Sequence, residues 1–288
     1  MFELRWSGFK PPGVQSIQPM RNFFSFLSRA LITTWCYFVF VLGSIVWGIL
    51  VIPLTIVLSR FSPKVRDLFT DFTQAALGTF IKLLPFLKLS VDRNRRLCDG
   101  TRILVANHQS WLDPIVMFSL ERRLSGPARG YLFRTPIIRS VLKLGRFYLS
   151  DGGEPAPLDR MRKGVEEALD HRGTLLFYPE GTRTKTGEIG DFQLGAFRMA
   201  VEYKLPIQPV VIDGLDRVFP PGSVIAQTQG RYVVRVRYLD PMEPPYEEGP
   251  QRRVVRELAQ QTRSSMVEEL ARLRTERGSA GQKRPGNA

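Results

Sequence analysis

The stretch ALITTWCYFVFVLGSIVWGILVIPLTIVL, residues 30–58, carries no charged side chain and is bounded by Arg29 and Arg60. As one α-helix it would be about 43 Å long, against roughly 30 Å of bilayer hydrocarbon. It is therefore expected to cross a membrane with tilt, or to break near Pro53 and re-enter, because proline lacks the backbone donor a helix interior needs. It begins too late and runs too long for a cleaved signal peptide. The alternative is a buried core helix, which so long an uncharged run disfavours. Membrane attachment is the expectation, with residues 1–29 as a basic segment ahead of it.

Next comes a second helical pattern, residues 62–85. Ser62 and Pro63 suit an N-cap and first turn. Val65, Leu68, Phe69, Phe72, Ala76, Phe80, Leu83 and Leu84 then recur at helical spacing. Such an amphipathic helix can lie on a bilayer surface, pack on a globular domain, or do both. The chain has 41 Lys and Arg against 27 acidic residues, a formal charge of +14. That excess predicts an anionic partner: nucleic acid, a phospholipid surface or a phosphorylated substrate. Cations flank the apolar run on both sides, so they set no clean orientation. The cluster Arg93, Arg95 and Arg96 and the large domain after it favour a cytoplasmic catalytic side. Cys36 and Cys98 form neither a metal-ligand pattern nor a disulfide framework.

From residue 97 the pattern alternates. ILVA (103–106), GYLF (130–133), RFYLS (146–150), TLLFYP (174–179), PIQPVVID (206–213) and RYVVRVRYL (231–239) are expected as strands. Helices are expected from 114 to about 123, 136 to about 144, 159–170 and 193–203. This order predicts an α/β fold: a single mixed, largely parallel sheet flanked by helices, preceded by the N-terminal membrane-associated helical segment. The catalytic domain is expected over 90–240, a charged helix over 250–277 and a disordered tail over 278–288.

Several chemistries are excluded. There is no G-x-S-x-G elbow, and GTRTKTG (181–187) lacks the spacing and Gly-Lys pair of a P-loop. Two isolated histidines and two distant cysteines make no zinc site. His108 is then the one strong base candidate that titrates near neutrality. His171, closing an amphipathic helix beside Arg172, reads as a helix-end residue interacting with the dipole. In NHQSWLDP (107–114), His108 and Asp113 are five apart, about 140° around a helix, so they meet only in a strand-to-helix loop. Asp113-Pro114 supplies that loop, although Asp113 could equally be a simple N-cap. In FYPEGTRTKTG (177–187), Gly181 permits a tight turn with positive φ and Arg183 offers a planar fork suited to phosphate. Taken alone, that segment is also readable as an exposed turn.

Taken together and in this order, the two segments resemble the glycerolipid acyltransferases of the 1-acylglycerol-3-phosphate acyltransferase type. The N-H-x-S-x-x-D block is Asn107, His108, Ser110 and Asp113. The P-E-G-T-R block is Pro179 to Arg183. Gly187, Phe192, Gly195 and Phe197 follow the trailing pattern, and Pro206, Ile207, Pro209 and Val210 the late one. One block departs: in YLFRTPIIRSVLKLGRFYLSDGG, Leu144, Gly145 and Phe147 fit, but the acidic-leucine step is missing and Ser150-Asp151-Gly152 replaces I-D-R.

The resemblance implies that His108 acts as base on an acceptor hydroxyl, with Asp113 fixing its tautomer. It also implies a substrate pocket formed by Glu180, Gly181, Thr182 and Arg183, with Arg134 substituting in the divergent block. It implies acyl transfer from acyl-CoA or acyl carrier protein to lysophosphatidate at a bilayer, with no metal or other cofactor and no nucleic acid. The expected location is the cytoplasmic (inner) membrane, catalytic domain facing the cytoplasm. Another lysolipid acceptor, such as lyso-ornithine lipid, is the nearest alternative. A non-catalytic basic protein binding membranes or nucleic acid is the alternative from another class.

Overall fold

The computed structural model describes residues 17–92, 100–151, 157–184, 186–219, 225–228, 232–245 and 252–282. Arg93, Arg95, Arg96, Cys98 and most of the expected tail lie outside the described residues.

Helix α1 (Ile17–Val46) begins well before the uncharged run, so part of the expected N-terminal segment is helical. It passes into a π-helical turn, Trp47–Val51, and then α2 (Ile52–Leu58), with Pro53 in the first turn. The residues at both junctions keep right-handed helical dihedrals, so the chain does not reverse at Pro53. A local widening absorbs the missing proline N–H instead. The span Phe26–Leu58 is long and apolar enough to cross a membrane, and only 11% of its most apolar window is buried in the protein.

The reversal comes at residues 59–63, after which α3 (Lys64–Leu83) runs back. The N-cap position is Pro63, with no side-chain cap from Ser62. Trp47 stacks on Phe72 with ring centroids 5.0 Å apart, and its indole N–H donates to Thr73 Oγ1 at 3.2 Å. Phe69, Thr70, Thr73 and Ile81 of α3 are buried, while Leu68, Phe72 and Leu83 are exposed. This helix both packs on the domain and presents an apolar edge.

The main sheet uses β1 (Leu87–Asp92), β2 (Arg102–Ala106), β3 (Leu124–Ser125), β6 (Thr174–Phe177), β7 (Ile207–Asp213) and β8 (Tyr232–Tyr238), in the order β1-β8-β7-β2-β6-β3. Among the described strands, β7–β8 is antiparallel and the other pairings are parallel, with one further antiparallel bridge from Ile207 to Met242. A second ladder joins β4 (Pro127–Ala128) to β5 (Tyr148–Leu149). The α/β expectation therefore holds for the main sheet, with that small ladder added.

Along β2 the side chains alternate between two cores, as the pleat requires. Ile103 and Val105 join the cluster under α6 (Pro157–Asp170), α7 (Gly195–Tyr203) and α9 (Arg252–Gln282). Leu104 and Ala106 join the one under α3, α4 (Asp113–Leu120) and α8 (Leu215–Val218).

GYLF is not a strand: Gly130–Arg134 is a 3-10 turn. It leads through Thr135 directly into α5 (Pro136–Leu144), so the compact turn rather than an extended run delivers the chain to that helix. β1 was not anticipated; it starts before the expected domain boundary at 90 and pairs with β8. α9 runs to Gln282, five residues past the expected end at 277.

Candidate active site

Strands β2 and β6 are parallel neighbours, with Val105 opposite Phe177. The residues that leave their carboxyl ends must therefore lie side by side, which is where ligands bind in open α/β sheets. Asn107 extends β2 by side chain: its amide donates to Ile212 O at 2.9 Å, and its carbonyl accepts from Ile212 N–H at 2.7 Å. That clamp to β7 fixes where His108 emerges.

The turn after β6 then grips the His108 backbone from the other side. His108 N–H donates to Glu180 Oε1 at 2.9 Å, and Thr184 N–H donates to His108 O at 2.8 Å. The second Glu180 oxygen accepts Gly190 N–H at 3.0 Å. Glu180 thus ties the two motifs together through backbone groups. Gly181 has φ +69°, a left-handed backbone that favours glycine, whereas a Cβ there would meet only the movable end of the Gln193 side chain.

Asp113 opens α4 and is fully buried. Its Oδ2 accepts from His108 Nδ1 at 2.8 Å, Gln109 N–H at 2.6 Å and Ser110 N–H at 2.7 Å. Because that oxygen already accepts two backbone N–H groups, it acts as an acceptor toward the ring as well. The hydrogen is accordingly assigned to Nδ1, which leaves the Nε2 lone pair available. Burial pushes the Asp113 carboxyl above its ordinary range, while the His108 bond, the charge on a protonated ring and the two N–H groups pull it back down. The pull from the ring strengthens as the imidazole becomes charged. Asp113 therefore satisfies the loop amides, as a cap would, and also orients a base.

Tyr178 covers this pair, its ring stacked on His108 at 4.3 Å. Burial and the neighbouring Asp113 hold its phenol well above the usual range, so it stays neutral.

The His108 side chain keeps 18% of its surface open, toward a cleft of about 970 Å³. Gly181, Thr182, Arg183 and Arg134, all expected from sequence, line the cleft. Glu180 stands behind it as a brace. Sequence reasoning missed Arg129, Arg139 and Lys143, which line it too. The i, i+4 spacing of Arg139 and Lys143 on α5 was the available signal. Arg129 donates to Gly181 O and steadies the turn. Among the described residues, no carboxylate pairs with Arg134, Arg139, Lys143 or Arg183. Among the described residues, the carboxylate on the rim is Asp151, which accepts Gly130 N–H at 2.6 Å. The cleft therefore combines an oriented base with surplus positive charge.

His171 stands apart from this site. Its Nδ1 contacts Glu167 O, and burial together with Arg146 lowers its pKa from 6.5. It sits at the end of α6 on a last-turn carbonyl, in keeping with the expected helix-end residue, while burial and Arg146 disfavour its charged form.

Comparison with known proteins agrees with the motifs. Residues 88–213 match the Acyltransferase family. The chloroplastic 1-acyl-sn-glycerol-3-phosphate acyltransferase of Arabidopsis thaliana is 29% identical over 151 residues, covering 52% of this chain and 42% of that protein. The Saccharomyces cerevisiae 1-acyl-sn-glycerol-3-phosphate acyltransferase is 29% identical over 197 residues, covering 66% and 62%. The chain thus spans about half the length of the curated relatives it matches. The crystal structure of the 1-acyl-sn-glycerophosphate acyltransferase PlsC from Thermotoga maritima superposes with a TM-score of 0.62 at 21% identity, covering 85% of this chain and 97% of that one. At that identity the likeness shows a shared fold. Through residues 88–213, the chain is similar to the acyltransferase family.

Proposed function

We propose that this protein transfers an acyl chain from a thioester to the free hydroxyl of lysophosphatidate, forming phosphatidate at a membrane surface. The observation that carries this reading is the imidazole itself: its rear nitrogen is held by buried Asp113, and its ring opens into a cleft whose Arg134, Arg139, Lys143 and Arg183 pair with no carboxylate among the described residues. In the reaction, His108 Nε2 takes the hydroxyl proton as that oxygen attacks the thioester carbon. The C–O bond forms, the C–S bond breaks, and the imidazolium returns its proton to the leaving thiolate. The substrate hydroxyl takes the part that serine plays in a hydrolytic triad, so no acyl-enzyme forms.

The N–H groups of His108, Gln109 and Ser110 are committed to Glu180 and Asp113, so they are not oxyanion donors. Gly181 N–H is likewise committed, to Tyr178 O at 3.0 Å, so donors for the tetrahedral oxyanion come from Thr182 and Arg183 in that turn. Arg183, with Arg134, Arg139 and Lys143, holds the acceptor phosphate. The exposed apolar faces of α1, α2 and α3 keep the lipid beside the site. The thioester donor, acyl-CoA or acyl carrier protein, is anionic and soluble, which puts the domain on the cytoplasmic face.

The test is to incubate the purified protein in vesicles with labelled acyl-CoA or acyl carrier protein and a panel of lysolipids. The expected product is phosphatidate. Acylation confined to acceptors without a phosphate monoester, lyso-ornithine lipid among them, would overturn this assignment.

A further inference from the structure

We propose that a second basic pocket, walled off from the acyl-transfer cleft by α5, is a phosphate-binding site. This pocket, of about 540 Å³, is lined by Lys64, Arg66, Arg123, Arg146 and Arg172. Against these five cations stand Asp67, Glu167 and Asp170. Asp67 is taken up by Arg146, with 2.9 Å between Oδ1 and Nη2. Among the described residues, Lys64, Arg66, Arg123 and Arg172 have no salt-bridging carboxylate. The wall is shared with the cleft, since Arg66 Nη2 donates to Lys143 O at 2.8 Å.

Two features argue for a ligand rather than a solvated basic surface. The first is backbone strain. Among the described residues, the non-glycine positions with left-handed φ are Arg123 (51°), Arg146 (60°), Arg172 (52°) and Lys204 (52°). Three of the four are arginines of this one pocket. Arg146 and Arg172 come just after α5 and α6, where glycine would adopt the same turn without strain. Arg123 lies between α4 and β3, its guanidinium donating to His171 O at 2.9 Å. A cation at a helix end also offsets the dipole, but that role requires neither convergence on one concavity nor a left-handed backbone at each position.

The second feature is Lys64. It is the first residue of α3, at the end of the helix where the dipole already disfavours a cation, and it has no carboxylate partner. The Arg66 pKa is lowered by burial and by Arg146 and only partly offset by Glu167 and Asp67, and its Nε lacks an acceptor among the described residues. A phosphate monoester would relieve all of these at once, offering multiple acceptors and up to two negative charges.

The pocket adjoins the turn that ends the apolar helices, where Phe61 is 83% exposed. Its phosphate could therefore come from a lipid headgroup or from a soluble ester.

The test is hydrogen–deuterium exchange of the full chain in phosphatidylcholine nanodiscs. Inorganic phosphate is titrated in one arm, and nanodiscs containing phosphatidate are used in the other. Protection of residues 64–70 and 165–173 is expected. Protection by phosphatidate alone identifies a headgroup, and protection by inorganic phosphate identifies a soluble ligand. The double variant Lys64→Gln, Arg172→Asn should need about tenfold more ligand for the same protection, as expected for losing two charge-assisted contacts. Asn is chosen because it tolerates the left-handed backbone. If that variant does not fold, Lys64→Gln alone, at an exposed position, must still weaken protection. Arg183→Ala should keep the protection at 64–70 while losing any at 180–184, which separates this pocket from the cleft. No protection in either arm, or protection unchanged in the variants, overturns the proposal.

Discussion

The chain has two histidines, and their surroundings differ in one decisive respect. His108 Nδ1 is held by a buried carboxylate, whereas His171 Nδ1 meets a backbone carbonyl. Each arrangement puts the hydrogen on Nδ1 and so fixes the ring's tautomer. Only the first sets a carboxylate charge within hydrogen-bond distance of the ring that gains a proton. At His171, burial and Arg146 oppose the charged form. A histidine serves as a base when its rear nitrogen is anchored by negative charge and its front edge faces a cleft. Hydrogen bonding alone does not suffice.

The largest expected effect tests that contrast directly. His108→Ala should lower acyl transfer by about a thousandfold or more, the loss typical when a general base is removed from a triad-like site. The unfolding midpoint should be little changed. His171→Gln should leave transfer within about twofold, since losing a helix-end contact is a stability effect of the order of 1 kcal/mol. Comparable losses in both variants would erase the distinction between the two rings.

A smaller loss probes how His108 is seated. Glu180 accepts one N–H from His108 and one from Gly190. Glu180→Gln turns one of those acceptors into a donor facing a donor. Stability should fall by about 1–3 kcal/mol, with a drop in the transfer rate at saturating acceptor. Thermal unfolding with steady-state kinetics would check it, and an unchanged rate would mean the brace does not position the base.

Next is the cationic wall. Arg183→Ala should raise the KM for lysophosphatidate by about tenfold or more with a lesser change in kcat, as expected for removing a charge-assisted contact to phosphate. Arg139→Gln should do the same more weakly. A fall in kcat alone would instead give Arg183 a role in the transition state.

The smallest effect concerns pH. Because the folded state lowers the His171 pKa, the folded protein binds that proton less readily than the unfolded chain. The associated stability is complete above pH 6.5 and is lost as pH falls from there through the lowered folded value. One proton limits the slope to about 1.4 kcal/mol per pH unit. Denaturant midpoints between pH 8 and 5 should show a shallower fall in His171→Gln than in wild type.

The amino-acid sequence by itself determined the His108–Asp113 pair, the glycine turn at residues 181–183 and the long apolar run. All three are local patterns: a strand end followed by a loop and proline, a glycine turn after an apolar strand, and a long uncharged run. Their physical causes act over a few residues, so they can be read without knowing what lies across the sheet.

Tertiary structure decided the rest. GYLF has the apolar character of a strand, yet residues 130–134 coil into a 3-10 turn, while LKLSVD became β1 because β8 was there to pair with it. A ladder needs a partner, and sequence-local patterns do not say where the partner lies. The same holds for Arg129, Arg139 and Lys143, and for the three strained arginines of the second pocket. Each is unremarkable in its own segment and gains meaning only when packing brings it to a shared concavity.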